Sequence, residues 1–529
     1  MRPSGLWTVA AAQLRQDWKL ILPWVLLLPL LPATSVWGFD ALFRDDPATL
    51  VAMNFSAGSN PAFSVLFGPA PDITTAEGFA VWRSFVLGSF FTALMAVLAV
   101  TRNARGQEDT GRAELVAAAP VGRNARLAAA LLLAWGASVT VGVLAAGLAV
   151  VAGADPLPMV LLGGAYAGSG VVFAGVAAVA SQLASFARGA NILSVATLGA
   201  AYLLRAFADT SEAARGLLWW TPFGWVQKME PVGDASAWPL WLCAAAGVAL
   251  AGAAFVLQGR RDFGMGFIPP RSGPERGGFV ATLPGLVVRQ QRTAAISWIV
   301  GLTVMGAVMG LVASSLGEIL LGSPQLAAII AAQGLDAGDL SFQFLRTLLE
   351  IIALIAAVHG VQLGLRLVGE EQQGRLDPLL ATPIRREGLL AWYAVAALVA
   401  PALALIGAGV AMAVANRANG GEAGVGAVVL QSLAAVPAVW ILASLGLAFA
   451  GALPSLRSVA WFALVAVFVI SMLGPMLRFP DAVMGLSPLW HVPDTSVGDS
   501  VAGPVLAMTA LAAALLAVAF LGFRRRDIG

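Results

Sequence analysis

Glu108–Arg123 reads EDTGRAELVAAAPVGR, and Glu371–Arg386 reads EQQGRLDPLLATPIRR. Aligned without gaps, both follow E-x-x-G-R-x-[DE]-x-[VL]-x-A-x-P-[VI]-x-R, and long apolar runs flank each copy. Only 11% of the residues are charged. A charged segment written twice in such a chain marks two equivalent places in a duplicated architecture.

The surroundings of the two copies fix the solvent. The 529 residues are 59% apolar, with a mean hydropathy of +0.83. So few charges could not cover that apolar surface in water, which points to an all-α membrane protein. Apolar runs of roughly 20 residues, the length that crosses a hydrocarbon core, recur about twelve times, from Leu20–Trp37 through Phe85–Thr101 and Val459–Leu477 to Val501–Phe523. A net charge of +2 argues against a nucleic-acid partner. The single Cys243 excludes a disulfide framework and a cysteine-based metal site. The abundance of alanine and of arginine over lysine suggests a bacterial source. MRPSGLWTVAAAQLRQDWK has no short apolar core ending at a small-residue cleavage site, so no cleaved signal peptide is expected.

Cationic loops stay in the cytoplasm. With the N-terminus inside, roughly 23 of the 31 Lys+Arg fall on inner segments. The expected location is the bacterial cytoplasmic membrane, spanned many times, with both termini cytoplasmic.

A spacing of roughly 265 residues relates further matches and indicates duplicated domains. Arg83-Ser84 pairs with Arg346-Thr347, Arg188 with Arg457, Thr221-Pro222 with Ser487-Pro488, and Arg261-Asp262-x-Gly264 with Arg526-Asp527-x-Gly529. The expected organisation is a six-helix half over residues 1–264, a cytoplasmic Gly/Pro/Arg-rich linker over 265–278, and a second six-helix half over 279–529. An even number of spans per half makes the repeats parallel. Leu6–Trp18 and Leu286–Arg292 are amphipathic at helical spacing and are expected to lie in the interface, with Leu6, Val9, Ala10, Leu14 and Trp18 on the apolar face.

Within each repeated segment the descending helix ends near Glu108 or Glu371, and Gly111 or Gly374 permits a sharp turn. A short helix follows, with Glu114 or Asp377 in its early turn, where a carboxylate suits the positive dipole end. Pro120 or Pro383 ends it, and Arg123 or Arg386 anchors the next span at the inner headgroups. Such a short rigid helix along the membrane face suits the groove of a soluble partner.

The duplicated segment, the amphipathic start of each half and the [ST]-P before each last span resemble the permease of an ABC type 2 exporter. A fused, double-length form is similar to actinobacterial tetronasin, polyketide-antibiotic and multidrug efflux permeases. The resemblance covers essentially the whole chain. It implies coupling helices that receive the stroke of two copies of a separate ABC ATPase subunit, at Glu108, Gly111, Arg112, Glu114 and Pro120 and at Glu371, Gly374, Arg375, Asp377 and Pro383. ATP and Mg would be bound by that partner, with no cofactor on this chain. The first copy has Val116-Ala117 for Leu379-Leu380 and Ala119 for Thr382, which predicts a weaker grip on its side.

A phosphate loop needs G-x-x-x-x-G-K-[ST], and the only lysines are Lys19 and Lys228, neither in such a loop. Catalytic residues are therefore none, and HExxH or cysteine-cluster metal motifs are absent. Phe85, Phe90, Phe91 and Met95 from the second span, with Phe462 and Phe468 from the eleventh, are candidates to line an apolar cavity between the halves. Glu350, four residues after Arg346, either bridges it or serves substrate passage. His359 reads as an interhelical hydrogen-bond partner, and Gly164-x-x-x-Gly168 and Gly306-x-x-x-Gly310 as packing notches.

Two transporter readings remain in competition. An ATP-driven exporter of amphiphilic or apolar small molecules (antibiotics, drugs, lipids) accounts for the paired segments. A proton-coupled twelve-helix secondary drug transporter would also have parallel halves, but it would place carboxylates deep in its spans, where only Glu350 comes close. An importer permease would show an E-A-A-x-x-x-G loop, and neither segment has that spacing.

Overall fold

The computed structural model describes residues 5–43, 67–70, 72–111, 114, 121–209, 212–262, 264–269, 278–322, 337–421, 423–477, 479–496 and 500–526. The chain divides into two compact units, Met1–Gly273 and Pro274–Gly529. Unit 1 holds α1 (Leu6–Phe43), α2 (Ala76–Thr101), α3 (Ala125–Val151), α4 (Pro156–Leu183), α5 (Ala187–Ala208) and α6 (Pro239–Arg260). Unit 2 holds α7 (Leu283–Gly322), α8 (Ala337–Gln372), α9 (Arg386–Ala418), α10 (Val425–Ala452), α11 (Ser458–Leu477) and α12 (Ala502–Arg525). Short helical turns precede each last helix: Glu212–Trp220 and Pro222–Gln227 before α6, Asp481–Met484 and Pro488–His491 before α12. The elements among the described residues are helices, apart from one isolated bridge between Ala184 and Ile268.

Among the described residues, eleven helices are long and apolar enough to cross a membrane. The helix α11 stands where the eleventh of the twelve runs was expected, with a shorter apolar stretch, Ser458–Met472. Helices prevail because in hydrocarbon every backbone N–H and C=O needs an internal partner. Their starts follow local chemistry: the Thr75 hydroxyl accepts from Gly78 N–H at the head of α2, with Glu77 in the first turn, and Pro156 opens α4 where its missing N–H costs nothing. The interior of unit 1 is built on α2 and α4 and that of unit 2 on α10, whereas α6 and α12 turn most of their surface outward. That outward surface is apolar, with Trp241, Val248, Leu506 and Leu521 exposed, as a lipid-facing helix requires.

Small residues let the backbones touch. A Cβ on Gly142 of α3 would lie 2.2 Å from the carbonyl oxygen of Gly163 on α4, and one on Gly163 would lie 2.3 Å from that of Gly142. Gly306 and Gly310 press in the same way on the Ala408 and Met412 carbonyls of α9, each at 2.2 Å, while Gly164 and Gly168 receive Leu240 and Cys243 of α6. Both glycine pairs singled out in the sequence are therefore packing notches. Gly142→Ala is expected to destabilise unit 1 by about 1–3 kcal/mol, because neither backbone can yield without parting the helices. Gly147→Ala on the same helix meets nothing within 4 Å and serves as control. Thermal unfolding in detergent reads both, and equal profiles would refute the close approach.

The start of α1 departs from expectation in its continuity. Leu6–Trp18 is no separate interfacial element but the first part of one unbroken 38-residue helix that also contains Pro23, Pro29 and Pro32. Val9, Gln13, Asp17 and Ile21 are buried, whereas Leu14 and Trp18, expected on the apolar face, are exposed together with Trp7. The cause is polar demand inside the unit. Asp17 accepts from Arg102 Nε at 2.8 Å and from Asn103 Nδ2 at 2.5 Å, so the polar stripe turns inward and the apolar one is left for lipid. Leu286–Arg292 likewise lies within the continuous α7.

Candidate functional site

At the end of α2 the chain widens into a π-helical turn, Arg102–Gly106, followed by one α turn to Asp109. Such turns are uncommon and recur at functional sites. Here the turn aims Arg105 into the bundle, where its side chain is fully buried. Its guanidinium donates to Glu108 Oε2 (2.6 Å), Ser185 O (2.6 Å), Gly264 O (2.9 Å) and Met265 O (3.2 Å).

Glu108 is the centre of this arrangement. Its side chain is 2% exposed and receives Arg105, Arg126 at the head of α3, and both terminal nitrogens of Arg261 just past α6, at 2.7 and 2.9 Å. Arg261 in turn reaches Gln182 near the end of α4 (2.7 Å). The neighbouring Asp109 accepts from Ala187 N–H (2.6 Å), placing a carboxylate at the head of α5. One glutamate thus joins the ends of α2, α3 and α6, with α4, α5 and the segment after α6 tied through its arginines. Residues 264–269 belong to this lattice too, since Ile268 N–H donates to Leu183 O at 2.8 Å.

Beyond the buried carboxylate the chain turns outward. Gly111 has φ +71°, a left-handed conformation that suits glycine, and Glu114 is exposed in a helical turn. Arg112 and Pro120 lie outside the described residues. Arg123 closes the segment by donating to Gln258 O (3.0 Å), and the Gln258 amide donates back to Arg123 O (2.9 Å).

The second repeat uses the same plan with fewer charges. Gly374 has φ +64°, and its N–H donates to Glu371 O at 2.9 Å. Glu371 accepts from Arg526 at 2.5 Å, with side chains 22% and 16% exposed. Arg375 and Arg366 go instead to Glu370, at 3.4 and 3.6 Å. The short helix Asp377–Leu380 is pinned by Leu376, buried among Val287, Leu367, Leu389 and Leu390. Asp377, Pro378, Thr382 and Pro383 stay exposed. The element thus has one face bonded to the unit and one face open.

Arg261 and Arg526, matched in sequence, each hold the glutamate that opens their repeat. Their role went unread in the sequence, as did those of Arg105 and Arg126, although the twice-occurring R-D-x-G after each last span was a usable signal.

The cavity candidates fall in both units. Phe85 is buried near the start of α2, Phe90 stacks on Phe223 and meets Tyr202 edge-on, Phe91 packs beside Trp24, and Met95 is buried. Phe462 and Phe468 are exposed on α11. Glu350 lies 3.6 Å from Arg346, whose stronger contact is Asp494 at 2.8 Å. Burial alone would raise the Asp494 carboxyl, but hydrogen bonds from Ser496 and Gln343, with the Arg346 charge, hold it below the usual carboxylate range. His359 is buried and stacks on Trp298 with centroids 5.1 Å apart.

The family described as multidrug efflux system permease Rv1217c, C-terminal domain, matches residues 50–257 and 281–524 of this chain. The multidrug efflux system permease protein Rv1217c of Mycobacterium tuberculosis (strain ATCC 25618 / H37Rv) is 35% identical over 522 residues, covering 97% of this chain and 94% of that protein.

Proposed function

The chain belongs to the Rv1217c family of multidrug efflux system permeases, and on that premise we propose that it is the membrane subunit of an ATP-driven exporter. In this reading two copies of a separate ABC ATPase, carrying ATP and Mg, dock on the segments that follow Glu108 and Glu371. The observation that carries the reading is the repeated architecture itself: a glutamate bound to the arginine beyond its unit's last helix, then a left-handed glycine, then an exposed carboxylate at Glu114 or Asp377. A push on the open face would pass through Glu108 to the ends of α2, α3 and α6 together, because the lattice couples them. The docking face would lie in the cytoplasm with both termini, as the arginine distribution favours. The substrates would be apolar or amphiphilic small molecules, drugs and antibiotics among them, in keeping with the relative's name.

The competing proton-driven mechanism gains little from the geometry around Glu350, whose arginine is engaged more closely by Asp494. Inverted vesicles carrying the chain and its ATPase separate the two. Export is expected to need ATP and to survive a protonophore, and the chain without its partner is expected to turn over no ATP. Full dependence on the proton gradient at constant ATP would overturn the proposal.

A further inference from the structure

The first helix of each unit sets two cations on its outward side by the same device. In α1, Gln13 and Asp17 are buried: the Gln13 amide donates to Arg126 O at 3.3 Å, and Asp17 accepts from Arg102 and Asn103. In α7, Val287 and Gln291 are buried: Val287 packs in the cluster of Leu389 and Leu390, and Gln291 Oε1 accepts from Arg366 Nη1 at 3.0 Å. Midway between each buried pair stands an arginine, Arg15 or Arg289, and both are exposed. At about 100° per residue it lies roughly 160–200° around the helix from its buried neighbours. The bonds that fix the rotation of each helix therefore turn its arginine outward. A second exposed cation follows on the same side, Lys19 after Arg15 and Arg292 after Arg289.

These four cations differ from the arginines around them. Arg105, Arg126 and Arg261 are held by Glu108, Arg102 by Asp17, Arg366 and Arg375 by Glu370, and Arg526 by Glu371. Arg15, Lys19, Arg289 and Arg292 form no salt bridge among the described residues, and Lys19 Nζ lies 5.7 Å from the centre of the Trp18 ring. Each pair borders apolar surface that runs on along its helix. Trp7, Leu14 and Trp18 are exposed beside the first pair and continue into Leu22 and Leu26; Val288 and Ile296 are exposed beside the second and continue into Val300 and Val304.

The pairs also stand at one level. The 38 residues of α1 and 40 of α7 extend roughly 57–60 Å at about 1.5 Å per residue, nearly twice the hydrocarbon thickness of about 30 Å. Bonding to Arg102 and Arg366 puts Asp17 and Gln291 beside the ends of α2 and α8 that lead into the repeated segments. Tryptophan and cations gather where spans meet the headgroups.

We propose that each pair binds the headgroup of an anionic phospholipid, its phosphate accepting from the guanidinium of Arg15 or Arg289 and from Lys19 or Arg292, with an acyl chain along the exposed stripe of the same helix. A guanidinium can meet two phosphate oxygens at once. Charge complementarity selects an anionic headgroup over a zwitterionic one, which brings its own ammonium. The unbroken run from the cations into the apolar stripe favours a lipid over a soluble partner. These sites need no ATPase, so they stand or fall separately from the proposed energy source.

The test uses the purified full chain, delipidated in neutral detergent and titrated with palmitoyl-oleoyl phosphatidylglycerol or with phosphatidylcholine of the same chains, bound lipids being counted by native mass spectrometry. Two phosphatidylglycerols per chain are expected to bind more tightly than any phosphatidylcholine. Arg15→Ala with Lys19→Ala, or Arg289→Ala with Arg292→Ala, is expected to weaken one of the two roughly 30-fold, as loss of two cations facing anionic lipid implies. Arg15→Lys or Arg289→Lys should keep most of the affinity. Arg260→Ala with Arg525→Ala removes the same charge from exposed positions at the ends of α6 and α12 and should leave both sites intact. Equal binding of the two lipids, a loss in that control as large as in the paired variants, or displacement of phosphatidylglycerol by millimolar inorganic phosphate would overturn the proposal.

Discussion

Glu108→Gln is expected to cost unit 1 about 3–5 kcal/mol, the range for breaking a buried ion pair from one side. Arg105, Arg126 and Arg261 would remain close together with no buried carboxylate between them, and their side chains are only 0%, 12% and 7% exposed. The glutamine keeps the shape and one acceptor, so the loss is one of charge rather than packing. Glu371→Gln is the internal comparison. Its single arginine partner and partial exposure put that pair near the surface regime, where about 0–1 kcal/mol is usual. Thermal unfolding of the purified variants should therefore show a fall on the order of 10 °C for Glu108→Gln and a far smaller one for Glu371→Gln. Equal shifts would mean that the three-arginine cluster does not hold the end of unit 1 together.

Reversing Glu114 and Asp377 together to lysine should leave the protein folded but unable to export. Both residues are exposed, and a cation in the early turn of so short a helix costs only about 0.3–1 kcal/mol. At a docking face the same change sets like charges opposite whatever basic groups receive those carboxylates, a penalty of several kcal/mol. Efflux and substrate-stimulated ATP turnover should both drop by at least about tenfold, with an unchanged unfolding profile. Persistence of both activities would place the docking surface elsewhere.

Much of this architecture was legible because the signals are local. Apolar runs give the spans, and the glycines of E-x-x-G-R do adopt left-handed turns at Gly111 and Gly374. What escaped was contact between distant positions. Arg261 lies 153 residues from Glu108, and no periodicity connects them. The start of α1 was read as a separate interfacial element because its apolar residues recur at helical spacing; spacing could not show that the helix runs on unbroken or that the buried Asp17 answers to Arg102 and Asn103. Glu108 was grouped with the coupling residues on the repeated spacing and the family resemblance. Its burial makes it a brace behind the exposed segment that carries Glu114, a distinction that only the surrounding helices create.

The turns before the last helix of each unit carry a genetic consequence. When a transporter is assembled from two copies of one polypeptide, every codon change is expressed twice, and a site cannot open in one copy while staying shut in the other. Here the repeats share one reading frame, so each can be altered alone. Arg346 and Asp494 bond across the turn of unit 2, while in unit 1 Lys228 lines a cavity. A single chain can thus keep one half as framework and let the other acquire new ligands, each mutation tested against an unchanged twin.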